Sequence, residues 1–198
     1  MAKEINNIIS RAVPFGKIDV DTDEIAPTDE ALYVLNWTEA GDVFCILTRR
    51  EDPQNVLDSQ LYRGGRILFA GKNFGCGSSR EHATQGTLAR YDAVIAPSFA
   101  PIFGDNAYAI GLPVLQVSQE NLQSLKDMAE KDPSLNFGIS LEKLTITPDG
   151  KESIPLMLDE AKRKGFITGT WDERDRLTGN LENTSKVLAN LSYVTGQY

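Results

Sequence analysis

The chain reads as an α/β domain built on a largely parallel sheet. Three short apolar runs, "RILFAG", "AVIAP" and "LPVLQV", follow one another through its middle. Between them lie "SREHATQGTLAR" and "SFAPIFGDNAYAIG", each of a length suited to a helix. Strand, helix, strand, helix, strand is the pattern of parallel strands joined by right-handed crossovers.

The elements follow in order. "IISRAVPFGKI" opens with a strand and a Pro/Gly turn, and "DVDTDEIAP" is dense in carboxylates and ends at Pro27. Residues 28–50 do not resolve into one element: "ALYVLNW" is apolar, "TEAGDVF" is loop-like, and "EDPQN" after them is a turn. "RILFAG" is a strand that stops at Gly71, and residues 79–90 form a helix. "AVIAP" is a second buried strand, and the next helix ends at Gly111, a favoured C-terminal cap position. "LPVLQV" is the third strand. In "ENLQSLKDMAEKD", Leu122, Leu125 and Met128 fall at helical spacing. "KLTITPDGKESIPL" is a hairpin turning at Asp149-Gly150. "LDEAKRKGF" is helical, and the tail from Thr170 holds one more helix. The expectation is one domain over residues 1–198, with a core at about 10–117, an extension at about 118–198, and extra β-structure at both ends.

Composition narrows the function. With 198 residues, 41% hydrophobic and 24% charged, the chain can bury a sizeable core. Twenty basic against 28 acidic residues give a net charge of -8, which argues against nucleic acid or an anionic membrane as partner. That balance leaves room for a local basic pocket. No apolar segment is long enough to span a bilayer. Two distant cysteines, Cys45 and Cys76, and one histidine, His82, cannot build a zinc site or hold an iron–sulfur cluster alone. Reduced thiols and a cytoplasmic location are therefore expected, with no metal on this chain.

The chemistry concentrates in "GKNFGCGSSREHA", residues 71–83. Ser78 to Glu81 fits the S-x-x-E capping box, with Ser78 as cap and Glu81 reaching back to its amide. A helix start presents unpaired N–H groups and partial positive charge, and Gly75 and Gly77 let backbone amides turn toward the same spot. Arg80 adds a fork suited to a carboxylate. An ordinary capped helix explains the box; three glycines, two serines and an arginine together point to an anion site. A nucleotide loop fits poorly. The Lys-Ser/Thr ending of a P-loop is missing, and Arg80 stands where G-x-G-x-x-G needs its third glycine.

"NFGCGSSREHA", with "DVDTDEIAP" before it and "IAPSFAPIFGDNAYAIGLPV" after it, resembles the small subunits of 3-isopropylmalate dehydratase, the swivel domain of the aconitase superfamily. The resemblance implies an aconitase swivel-like fold: a mixed sheet with a βαβαβ core, additional strands and a C-terminal helical tail. It implies isomerisation of 2- and 3-isopropylmalate by dehydration and rehydration, in leucine biosynthesis. By that resemblance the catalytic residues are Ser78, which matches the family's base, and Asp23, which matches its site aspartate, with Asp21 as the substitute; Ser79 and Arg80 match its substrate-binding residues. Asn106 matches a family asparagine, read as a packing residue, and His82 is read as structural. The family's [4Fe–4S] cluster needs three cysteines. This chain binds no cofactor by that count, and the cluster is expected on a larger partner subunit in a heterodimer or heterotetramer. The serine chemistry fits: its anion needs the stabilisation that helix amides and Arg80 can give.

Substrate choice falls to the segment after Asp23. Residues 18–48 contain no Lys or Arg and offer Leu32, Tyr33, Val34, Leu35 and Trp37. As a loop over the site, Leu32, Tyr33 and Leu35 suit an isopropyl or similar alkyl group better than a third carboxylate; the other reading makes them core strand. Two other functions stay open: a dehydratase of another alkylmalate or 2-methylmalate, and a non-catalytic binding domain of the same fold.

Overall fold

The structure is a computed structural model that describes residues 3–27, 29, 41–52, 54–78, 80–172 and 181–191. Its strands are β1 (Asn7–Val13), β2 (Ile67–Phe69), β3 (Ala93–Ala96), β4 (Val114–Gln116), β5 (Asn136–Ser140), β6 (Thr145–Pro148) and β7 (Ile154–Pro155). The described helices are α1 (Thr22–Ile25), α2 (Ile46–Glu51), α3 (Glu81–Arg90), α4 (Pro101–Ala109), α5 (Gln119–Lys131), α6 (Glu160–Thr168) and α7 (Leu181–Ala189). Two 3-10 turns, Val56–Asp58 and Gln60–Tyr62, precede β2.

The strands form one seven-stranded mixed sheet in the order β4-β3-β2-β1-β5-β6-β7. β1 to β4 are parallel, and β5 to β7 pair antiparallel beyond β1. The expected βαβαβ core is β2-α3-β3-α4-β4. The N-terminal strand joins that parallel core rather than standing outside it, because Ala12 and Val13 pair with Ile67 and Leu68. Met157, just past β7, exchanges both backbone hydrogen bonds with Gln116 of β4, at 2.9 and 2.8 Å. The sheet's two edges are thus drawn together.

Every residue of β2 and β3 is buried, as parallel strands covered on both faces require. On one face Leu68, Val94 and Ala96 pack with Ala83 of α3 and with Phe103 and Ala107 of α4. On the other, Ile67, Phe69, Ile95 and Leu115 pack with Leu122, Leu125 and Ala129 of α5 and with Phe166 of α6. The helix ends follow local chemistry. Pro101 opens α4, where its missing N–H costs nothing. Ser118 caps α5 by accepting from the Asn121 amide, and Asp159 caps α6. Gly111 follows α4 at φ +80, as expected of a C-terminal cap, and the Asp149-Gly150 hairpin forms.

Sequence reading missed β5. Its signal is the burial of Phe137 and Ile139, at alternate positions, and its whole length pairs with Asn7–Arg11 of β1.

Candidate active site

The site lies at the carboxyl edge of the parallel strands, where loops after β1 and β2 meet, the usual place for ligands in such sheets. Beyond the sheet these loops keep pairing. Asp19 donates its N–H to the Lys72 carbonyl, Gly75 to Val20, and Thr22 to Cys76, at 2.8–2.9 Å. The loop after β3 joins on the far side: Phe74 donates to the Ser98 carbonyl, and Ala100 to Phe74. A second tier of extended chain therefore carries "GCGSSR" past the sheet's edge.

Two glycines permit that path. Gly75 sits at φ +77, and a Cβ there would fall 2.2 Å from Phe103 Cγ. Gly77 sits at φ +89 against Asp21 and Thr22. Both conformations are natural to glycine alone.

Ser78 follows on the surface, exposed. Its carbonyl accepts a 2.9 Å hydrogen bond from Thr22 Oγ1. Arg80 is the N-cap of α3 and forms an ion pair with Asp23 of α1. The Arg80 side chain is 28% exposed and that of Asp23 57%. Asp21 caps α1 by accepting from the Glu24 amide at 2.6 Å. Glu24 Oε1 accepts from Lys17 Nζ and Thr48 Oγ1, both at 2.6 Å, and so ties α1 to the chain on either side.

The expected capping box does not form. α3 begins at Glu81 rather than Ser79, its cap is Arg80, and no side chain caps it. Glu81 instead accepts from Gln85 at 3.0 Å. The physical reason is tertiary: the Ser78 carbonyl is held by Thr22 and Arg80 is paired with Asp23, so the serine stands outside the helix. Ser78, Arg80 and Asp23 are thus brought to one corner. Ser79, Leu32, Tyr33 and Leu35 lie outside the described residues. His82 is exposed in the first turn of α3, and Asn106 is half-buried on α4. The sequence carries no signal for Thr22, because a threonine between two acids does not announce a long-range bond.

Neither thiol is poised to react. Burial pushes the Cys76 thiol pKa up, and the Asp21 and Asp19 carboxylates raise it further. Cys45 is buried, and burial drives its pKa far up. The iron–sulfur cluster of the aconitase superfamily does not fit this chain. It has two cysteines; Cys45 lies in the core and Cys76 Sγ points to the Asp19 carbonyl at 3.5 Å. Among the described residues no group of three or more His, Cys, Asp or Glu could hold a metal ion, and no helix is long and apolar enough to cross a membrane.

A parallel-core mixed sheet with a Gly-Ser-Ser-Arg corner on the loop after β2 defines a swivel-type domain of the aconitase class, and the Aconitase C-terminal domain model matches residues 34–120. The 3-isopropylmalate dehydratase small subunit of Erythrobacter litoralis is 37% identical over 167 residues, 83% of this chain and 80% of its own. That of Rhizobium etli is 40% identical over 167 residues, covering 81% and 82%. That of Thermus thermophilus is 36% identical over 177 residues, 87% of each. The crystal structure of 3-isopropylmalate dehydratase from Methanocaldococcus jannaschii matches with a TM-score of 0.68 at 28% identity, over 91% of this chain and 98% of that one. The chain belongs to the family of 3-isopropylmalate dehydratase small subunits.

Proposed function

We propose that this chain supplies the proton-handling half of a dehydratase that interconverts 2- and 3-isopropylmalate, and that a larger subunit completes the enzyme. The observation that carries the reading is the corner itself: Ser78 exposed beside the Arg80–Asp23 pair at the start of α3.

Each residue has a task in that reaction. Ser78 Oγ, as its anion, takes the proton from the carbon next to a substrate carboxylate. The electron pair left on that carbon forms the double bond as hydroxide leaves the neighbouring carbon. Water then adds back in the opposite sense. A serine anion is a high-energy base, and the positive end of α3 with the Arg80 guanidinium lowers its energy. Arg80 and Ser79 hold a substrate carboxylate, and Asp23 orients Arg80. Leu32, Tyr33 and Leu35, with no cation between Ile18 and Thr48, favour a branched alkyl group over a third carboxylate. Removal of the hydroxyl belongs to a [4Fe–4S] cluster on the larger subunit, since two separated thiols cannot hold it here.

The test is reconstitution. The chain alone should not dehydrate isopropylmalate; mixed anaerobically with a large dehydratase subunit, it should. In that assembly Ser78→Ala should lower turnover by on the order of 10²–10⁴ while substrate affinity changes less. Turnover by the isolated chain without iron, or near wild-type turnover by Ser78→Ala, overturns the reading.

A further inference from the structure

We infer that Thr22 is the positioning residue of the proposed base, a clamp that sets where Ser78 stands. The inference rests on the reading of Ser78 given above.

Thr22 holds the chain on both sides of Gly77. Its backbone N–H donates to the Cys76 carbonyl at 2.9 Å. Its hydroxyl donates to the Ser78 carbonyl, also at 2.9 Å. Gly77 between them is at φ +89, with room around it: a Cβ would come no nearer than 3.5 Å to Asp21 and 3.6 Å to Thr22 Oγ1. A glycine with that freedom gives the next residue no fixed direction. Two donors from one side chain's residue supply the direction instead.

The bond is not an ordinary helix feature. A threonine hydroxyl in a helix usually turns back to a carbonyl three or four residues earlier. Thr22 reaches a residue 56 positions away. It does so from a buried place, 2% exposed, where an unpaired hydroxyl would be costly. Thr22 is itself fixed. α1 is capped by Asp21 and tied through Glu24 to Lys17 and Thr48. The same short helix carries Asp23 to Arg80. One rigid turn therefore sets the serine through Thr22 and the arginine through Asp23, side by side.

Misplacing a reacting group by about 1 Å can cost on the order of 100-fold in rate. In the assembled two-subunit enzyme, Thr22→Val keeps the branched shape and removes the hydroxyl. It should lower kcat by roughly 10- to 100-fold with KM changed far less, since the loss falls on the transition state. Thr22→Ser, which keeps the hydroxyl, should recover kcat to within a few-fold of wild type. In a Ser78→Ala background Thr22→Val should cause no further loss, because the group it positions is gone. Undiminished kcat in Thr22→Val overturns the clamp. So does an equal loss with and without Ser78, which would mark a general effect on folding. If Thr22→Val does not fold, Thr22→Ala against Thr22→Ser carries the same comparison. If Ser78→Ala alone keeps full turnover, the reading of Ser78 as base fails instead, and the two failures are distinct.

Discussion

Gly75, Gly77 and Gly104 form a series in which the same added methyl group should have three different effects. Gly75→Ala meets two obstacles. At φ +77 an L-residue is strained by about 1–2 kcal/mol. The new Cβ would also lie 2.2, 2.4 and 2.6 Å from Phe103 Cγ, Cδ2 and Cβ. Phe103 is 2% exposed and packs edge-on against Phe74 with centroids 5.4 Å apart, so its ring has nowhere to retreat. Forcing such a core apart costs roughly a further 1–3 kcal/mol. The expected destabilisation is about 2–5 kcal/mol, a large part of a typical ~5–15 kcal/mol. Gly77→Ala meets the first obstacle only, at φ +89 with nothing closer than 3.5 Å, and should lose about 1–2 kcal/mol. Gly104, inside α4 with nothing within 4 Å of a new Cβ, should gain roughly 0.5–1 kcal/mol as alanine. Urea unfolding of the three variants, followed by far-UV circular dichroism, orders them. At ~1–3 kcal/mol per molar urea, Gly75→Ala should lower the midpoint by about 1 M or more. Equal midpoints for Gly75→Ala and Gly77→Ala would refute the steric argument, and a loss at Gly104 would refute the account of its surroundings.

Two further substitutions probe groups away from the corner. Tyr91 is 1% exposed and its hydroxyl makes no well-formed hydrogen bond among the described residues; burial pushes its pKa up to about 12, although the Arg90 guanidinium nearby pulls it down. Tyr91→Phe keeps the edge-on contact with Phe44 at 5.3 Å, so stability should hold or rise by up to about 1–3 kcal/mol; a clear fall on thermal melting would show that the hydroxyl has a partner. Asp58 is held below its ordinary 3.8, first by the hydrogen bond from Arg49, then with help from Arg90. A depressed carboxylate stabilises the fold above its unfolded pKa and loses that contribution as pH falls through the folded one. Asp58→Asn should therefore narrow the gap to wild type as pH drops below about 4, read as melting temperatures between pH 6 and pH 2; parallel curves throughout would contradict it.

Contiguous chemistry was the most legible part of the sequence. Ser78 and Arg80 are neighbours in the chain, and Asp23 stands in a motif of its own, so the corner could be named before it could be seen. The strands β2 and β3 were legible because burial on both faces leaves them apolar throughout, and β4 because its Val114 and Leu115 are buried. β5 was harder. "NFGIS" has a glycine at its centre and polar residues facing out, and its stability comes from pairing with β1, a partner near the other end of the chain. The start of α3 was misread for a related reason. The S-x-x-E signal is local, and it lost to two distant contacts, Thr22 to the Ser78 carbonyl and Asp23 to Arg80. Thr22 left no sequence signal, because what matters about it is the carbonyl it reaches.

The exposure of Ser78 and the pairing of Arg80 belong together. The three loops at the carboxyl edge are hydrogen-bonded into a tier beyond the sheet, and that tier ends in the serine. In the proposed reaction Ser78 would meet its substrate at the protein's surface, which suits an enzyme whose other half is a second chain. Arg80 would then need a carboxylate while the substrate is absent, and Asp23 provides it. Their pair is partly exposed, with the Asp23 side chain 57% open, and such surface pairs are worth only about 0–1 kcal/mol. In the proposed reaction a substrate carboxylate arriving between them would displace or share Asp23 at little cost. Were a partner subunit to exclude water there, the same guanidinium would act in a lower dielectric, where its hold on a substrate carboxylate would strengthen. A weak ion pair in the open chain is thus compatible with a strong contact in the closed enzyme, and Asp23 keeps the arginine aimed until then.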